Sequence, residues 1–422
     1  MTKVNVNKTK ETVQYINNQF PLPIINHYAK MNTRKVIGFV SDFDPFHDKV
    51  AWSGTVYKLR EAVEMAGFEV KWIPYNNSLK NRLLDYSVLG WNFLIHSTGS
   101  WKYMPCRKRL MSRFHFRPLA KAWAKEVDRC PAIKECDYLF FPRGAQIALF
   151  SKNGKPFINV SGYVVPDMMG YYYHNITKKS EKKAIEMDAE AAHKAFINIR
   201  SSKWANDGLL NYYHCDSSKC HILEFGPNID TKDIRKGLKY EGGQLRILFS
   251  GVTWGRKGGN IAVKAVEKLR SKGIDAQLIV VGPKKCPDIC KGKDYIDFIG
   301  YLNKNKAEDY DKYLSLYERA HIFLLPTRAE CGAIVYSEAA AAGLPCYTYL
   351  TGGAGNYVVN GINGFALPEG SSADAFADQI LKDVKTGRMP SLHEGALNLF
   401  NERLSWEAWA RGFSKIMQEA TV

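Results

Sequence analysis

The sequence contains no run of 18 or more apolar residues, and its opening Met1-Thr-Lys-Val-Asn-Val-Asn-Lys8 has no apolar centre. Neither a membrane-spanning helix nor a secretory leader is therefore expected, and the chain is expected in the cytoplasm or peripheral on the inner face of a membrane. Cysteine is sparse and odd in number, nine in 422 residues, which argues against a disulfide framework. The pairs Cys215/Cys220 and Cys286/Cys290 have neither the Cys-x-x-Cys spacing nor the His partners of a zinc site, so no metal is expected. The first strand-loop-helix unit lacks Gly-x-Gly-x-x-Gly, which leaves a dinucleotide fingerprint unsupported. Acidic residues are missing altogether between Asp85 and Glu126.

What is present is a globular composition, 45% hydrophobic and 24% charged, in a chain long enough for two cores. A net charge of +17 favours an anionic partner. Inside the acid-free stretch Arg107, Lys108, Arg109 and Arg113 sit among Trp101, Tyr103, Phe114, Phe116 and Trp123. Cations with large aromatics suit an anionic membrane surface or a lipid-linked acceptor. The same composition suits single-stranded nucleic acid, or a solvated basic face whose aromatics belong to the core. No recognition motif accompanies the charge, so nucleic acid is not expected as a partner.

Strand and helix patterns alternate along the chain, which predicts an α/β protein with parallel sheets. Residues 1–33 read as an extension. A first domain over 34–226 begins with the strand Arg34–Val40, the helix Val56–Ala66 and the strand Gly67–Ile73. Further strands are expected at 136–141, 156–160, 196–200 and 221–225, with helix at about 180–197. Residues 227–244, charged and without apolar period, read as a linker. The second domain, 245–400, has expected strands at 245–250, 276–281, 296–299, 322–325 and 346–350, and an amphipathic helix from Ser405 lies within a final segment, 401–422.

Two loops of this second domain carry the chemistry. Gly251-Val-Thr-Trp-Gly-Arg-Lys-Gly-Gly259 follows a strand, and Arg256 and Lys257 supply cationic donors for a diphosphate. Leu324–Pro345 reads as strand, loop, helix, with Glu330 in the loop and Glu338 inside the helix. Strand-end loops of an open sheet face one crevice. The amides of Cys331, Gly332, Ala333 and Ile334 are expected to point at an anion there. Glu330 could also be no more than a favourable charge at a helix start. A diphosphate on Arg256 and Lys257, with carboxylates left for hydroxyl groups, describes a nucleotide-sugar site.

These residues, together with Gly352-Gly353, Asn360-Gly-Ile-Asn-Gly-Phe365 and Ser405-Trp-Glu407, resemble the retaining glycosyltransferases of GT-B fold, family four (glycosyl transferases group 1). The resemblance implies two Rossmann-like domains whose parallel sheets face a central cleft, and a final helix that crosses back onto the first domain. It implies that Arg256 and Lys257 bind the donor diphosphate, that Glu330 meets the donor sugar and that Glu338 holds the ribose. Gly300 and Tyr301 would line the base pocket, Gly251 would lie at the donor, and Gly54 would approach the phosphates from the other domain. It implies transfer of a hexose from a nucleotide diphosphate sugar to a glycan or lipid-linked hydroxyl with retention, as in envelope or polysaccharide synthesis. No metal would be needed, since no Asp-x-Asp lies beside these loops. A transferase making a soluble glycoside, or a silent partner of another transferase, are the competing expectations. Two departures stand out: Gly332-Ala333 replaces a common Phe-Gly, and Ser161-Gly-Tyr163, with Asp167 as the nearest acid, replaces a common His.

Overall fold

The computed structural model describes residues 34–49, 51–96, 113–174 and 176–420. Two six-stranded sheets, every pairing parallel, form its frame. In the first the order is β2-β1-β3-β4-β5-β6, from β1 (Val36–Ser41), β2 (Glu69–Pro74), β3 (Tyr138–Phe141), β4 (Phe157–Ser161), β5 (Ile197–Arg200) and β6 (Cys220–Ile222). In the second it is β12-β11-β10-β7-β8-β9, from β7 (Leu245–Ser250), β8 (Ala276–Val281), β9 (Ile296–Gly300), β10 (Ile322–Leu325), β11 (Cys346–Tyr349) and β12 (Gly364–Leu367). Each order reverses direction beside the first strand of its domain, and such a switch opens a crevice at the carboxyl ends of the strands. Inner strands are fully buried runs such as Ile322-Phe-Leu-Leu325, as sheets covered on both faces require, while edge strands such as β2, β6, β9 and β12 are partly exposed.

The final helix, Trp406–Ala420, leaves the second domain and packs on the first. Trp409 stacks on Phe413 at 5.0 Å, and both rings meet Phe140 of β3. Crossing occurs at Ser405, since Leu404 still belongs to the second core while Trp406 joins the first. Trp406 Nε1 donates to Pro227 O at 2.7 Å, tying the return to the start of the connector. Residues 227–244 hold no strand but do not hang free. Ile229 is buried in the second core, and the amides of Gly237 and Leu238 donate to Ala342 O and Ala320 O.

Several expectations are corrected. The strand expected at 221–225 spans only Cys220–Ile222, because Leu223–Phe225 already turns toward the connector. The strand β12 and the helices Leu79–His96, Arg117–Arg129, Ala307–Glu318 and Ala373–Lys385 were not anticipated. Arg117–Arg129 decides between the readings of the acid-free stretch for two of its aromatics: Trp123 is fully buried against Tyr75 and Phe114, so Trp123 and Phe114 belong to the core, as the reading of a basic face over core aromatics expected. Arg107, Lys108 and Arg109, like residues 1–33, lie outside the described residues, and Arg113 opens a short 3-10 turn. Among the described residues no helix is long and apolar enough to cross a membrane.

Candidate functional site

A cleft of about 690 Å³ lies between the carboxyl edges of the two sheets. Its walls are mostly second-domain loops: Ser250–Thr253 after β7, Val281 and Gly282 after β8, Tyr301–Asn305 after β9, and Glu330 with Gly332 after β10. The first domain closes it with Lys49, Trp52 and Ser53. Five basic side chains (Lys49, Arg256, Lys257, Lys284 and Lys304) face two carboxylates, Glu330 and Glu338. An enclosed excess of cations raises the local concentration of an anionic ligand.

Local sequence explains how each group arrives. Gly258, at φ +76°, starts the helix Gly259–Ser271 and passes so close to Pro326 O that a Cβ would sit 1.9 Å away. That close approach brings the loop holding Arg256 and Lys257 against the loop after β10. Lys257 is almost completely buried and its Nζ contacts Glu330 Oε2, while Arg256 Nη1 lies 4.0 Å from the same oxygen. Arg256 Nη1 also donates to Ala329 O at 2.7 Å. The expected diphosphate cations and the expected sugar carboxylate are thus brought together, and without ligand they compensate one another. A buried cation and anion each need such a partner.

Glu338, 1% exposed, lies in the helix Ile334–Ala341. Its Oε2 accepts the hydroxyls of Tyr313 and Tyr317 at 2.7 and 3.0 Å, and its Oε1 is 3.3 Å from Lys304 Nζ. Burial and the Glu338 charge push both tyrosine hydroxyls well above the ordinary phenol range, so they remain donors. Oε1 is the oxygen left for a ligand hydroxyl, with Lys304 beside it.

The other predicted residues divide. Gly251, Tyr301, Gly332 and Ile334 line the cleft. Gly300 does not; it turns the chain at φ +83° behind Tyr301. Gly54 lines a smaller neighbouring cavity and begins the helix Thr55–Met65. Cys331 faces the first domain, its Sγ 3.7 Å from Met168 Sδ, and Ala333 is buried in the second core. Burial and the nearby Glu330 charge hold the Cys331 thiol far above its usual range, so it stays protonated. The expectation of four amides aimed at an anion is corrected, because the Ile334 amide donates to Gly332 O at 2.7 Å. Asp167 is also away from the cleft: it packs beside Gly208, where burial raises its carboxyl to about 6.

Sequence reasoning missed Lys304, Asn228, Lys284 and the pair Trp52-Ser53. A signal existed for Lys284, which follows the strand-end Gly282-Pro283. None existed for Trp52 and Ser53, which hold left-handed φ of 51° and 60° although neither is glycine. Such backbone is retained where surroundings over-determine it. Also unforeseen is the turn Met169–Tyr173, whose Tyr171 and Tyr172 reach across to the loop after β10.

Comparison with known proteins agrees with this geometry. Residues 230–391, which span the cleft loops after β7 to β10, match the family model described as glycosyl transferases group 1. Over that stretch, under half of its length, the chain is similar to that family. Over 169 residues it is 25% identical to the capsular polysaccharide biosynthesis glycosyltransferase CapM of Staphylococcus aureus, a match covering 39% of this chain and 44% of that protein. Over 249 residues it is 24% identical to the D-inositol 3-phosphate glycosyltransferase of Xylanimonas cellulosilytica, covering 53% and 57%. The chain spans about half the length of the curated relatives it matches. Among solved structures, sucrose-phosphate synthase from Thermosynechococcus elongatus superposes with a TM-score of 0.61 at 16% identity, covering 92% of this chain and 99% of that one. That likeness gives the fold, GT-B.

Proposed function

We propose that this chain is a retaining glycosyltransferase that moves a hexose from a nucleotide diphosphate sugar to a hydroxyl of a glycan or lipid-linked acceptor. The observation that carries the proposal is the single cleft in which Arg256, Lys257, Glu330 and Glu338 converge. Lys257 exchanges Glu330 for the donor diphosphate, and Arg256, held off that carboxylate, joins it there. Glu330, released from Lys257, faces the sugar, and Glu338 Oε1 accepts from the ribose. Charge grows on the departing diphosphate as the glycosidic bond breaks, and preformed cations in a water-poor cleft stabilise it there. The leaving phosphate takes the proton of the acceptor hydroxyl, which places the acceptor on the same face as the leaving group and keeps the anomeric configuration. No step in this scheme calls for a metal. Closure between the two domains keeps water from the reacting carbon.

Support for a polysaccharide acceptor comes from the relative named for capsular polysaccharide biosynthesis; a lipid-linked acceptor at the inner face of a membrane is part of the same proposal. A second proposal, transfer to a small soluble acceptor, draws on the relative named for D-inositol 3-phosphate. A panel of nucleotide sugars, assayed with and without anionic vesicles, tests both. One donor is expected to be consumed, and Lys257→Ala and Glu330→Ala to lower turnover about 10²- to 10³-fold each. Stimulation by vesicles favours the lipid-linked acceptor, and indifference to them the soluble one. Donor binding without consumption by the native chain returns the protein to the role of a silent partner.

A further inference from the structure

Between Val165–Met168 and the helix Lys178–Lys194 the first domain makes one tight turn. The amides of Tyr171, Tyr172 and Tyr173 all donate to Met168 O, at 3.2, 3.0 and 2.8 Å. Tyr173 is buried beneath it, its hydroxyl 3.2 Å from that of Tyr163. A turn anchored this way holds its two remaining rings in fixed directions, and both point out of their own domain. Tyr171 packs on Tyr172 at 5.4 Å and on Trp204 at 5.5 Å.

Both hydroxyls are fully used, and every partner lies in the second domain. Tyr171 Oη accepts from the Glu330 amide at 2.7 Å and pairs with Thr351 Oγ1 at 2.9 Å. Tyr172 Oη accepts from Arg256 Nη1 at 2.9 Å and donates to Ala329 O at 3.1 Å. The Arg256 guanidinium also lies 5.4 Å from the centre of the Tyr172 ring. A phenol has one proton to give and lone pairs to accept, so each of these pairings satisfies its donor and acceptor. The second domain is shaped to receive them: a Cβ on Gly352 would stand 2.6 Å from Tyr171 Oη. Burial pushes the Tyr171 hydroxyl up to about 12, so it remains a proton donor across the ordinary pH range.

We propose that Tyr171 and Tyr172 are positioning residues for the transfer reaction, holding the Glu330 backbone and the Arg256 guanidinium in their working places from the opposite domain. The proposal rests on the transferase reading given above. Its physical content is a competition. Arg256 Nη1 is only 4.0 Å from Glu330 Oε2, and Tyr172 together with Ala329 O keeps it from closing onto that carboxylate. Without the Tyr172 hydroxyl, Arg256 and Glu330 neutralise one another, and the cation is lost to the diphosphate when negative charge develops. Tyr171 acts one bond away, by fixing the amide of Glu330 itself. Because both groups belong to the first domain, Arg256 and Glu330 are correctly held only when the two domains are together.

The test compares the native full-length chain with Tyr172→Phe and Tyr171→Phe, using the nucleotide sugar that the native chain consumes. Loss of one hydrogen bond to a charged group corresponds to about tenfold. Tyr172→Phe is therefore expected to lower kcat about tenfold with little change in donor KM and an unchanged thermal midpoint. Tyr171→Phe is expected to lower kcat less, because a neutral amide loses its partner. Unchanged kcat in both variants, with the native chain turning over, overturns the proposal and leaves the transferase reading intact. A loss of activity that merely tracks a fallen thermal midpoint overturns it as well, since that is a structural role. Absence of turnover by the native chain with every donor defeats the transferase reading, and this proposal falls with it.

Discussion

The two walls of the cleft are built from different chemistry. The second-domain wall holds charges matched in pairs, the buried Lys257 with Glu330 and the half-buried Lys304 with Glu338. The first domain brings Lys49, Trp52 and Ser53 to the cleft, the last two on left-handed backbone, and sets Tyr171 and Tyr172 beside it against the loop after β10. One wall can stabilise a developing charge, and the other can place the groups that do so. On the proposed reading Arg256 serves the donor because it is held off Glu330, and the hydroxyl that holds it, that of Tyr172, comes from the neighbouring domain.

The sharpest way to break this division is to push the walls apart. Gly352 sits at φ +49°, and an added Cβ would lie 2.2 Å from Glu330 O and 2.6 Å from Tyr171 Oη. Gly352→Ala combines a left-handed non-glycine residue with overpacking against backbone and is expected to cost about 3 kcal/mol in urea unfolding, with loss of turnover. The first-domain counterpart, Gly54→Ala, meets Lys49 O at 3.1 Å at φ +98° and should cost only about 1–2 kcal/mol. If the two variants are equally costly, the closer fit assigned to the second wall is wrong.

A smaller effect is expected when one charge of the second wall is removed without changing its shape. In Glu338→Gln the carbonyl oxygen still accepts the two tyrosine hydroxyls, while the new amide faces Lys304 Nζ, donor against donor. Affinity for a nucleoside diphosphate, measured calorimetrically, is expected to fall about tenfold. Unaltered affinity would remove Glu338 from the donor site.

The third prediction contrasts the cleft edge of the second sheet with its far edge. His321, just before β10 and 7% exposed, accepts the Arg246 amide on Nδ1 at 2.9 Å. Burial, reinforced by the Arg246 charge, lowers its pKa from 6.5 to about 4. The group is favoured neutral in the fold, so its contribution is complete above the unfolded value and disappears as pH falls from 6.5 toward 4. About 2–3 kcal/mol of stability should be lost over that window. His321→Gln should flatten this loss while leaving turnover untouched; an unchanged pH profile would place the acid sensitivity elsewhere.

Much of the second domain was legible in the chain itself. Apolar runs such as Leu245–Ser250 and Ala276–Val281, short and rich in β-formers, read as buried parallel strands. Glycine-bearing loops at their ends must then share a face, so Arg256, Lys257, Glu330 and Glu338 could be nominated from spacing. Less of the first domain was legible, because its cleft residues come from turns without a strand-end glycine signal. Trp123 was half legible: among arginines and lysines it suits a membrane surface or the core, and packing against Tyr75 and Phe114 decides for the core.

By itself the sequence determined two parallel α/β domains and the charged loops of the second one, because hydrophobic period and glycine placement are local properties. Tertiary structure alone decided that Lys257 rests on Glu330, that Lys304 stands beside Glu338, and that Tyr171 and Tyr172 meet a loop some 160 residues away. Those pairings depend on how two sheets face each other across a cleft, and no spacing along one chain encodes that distance.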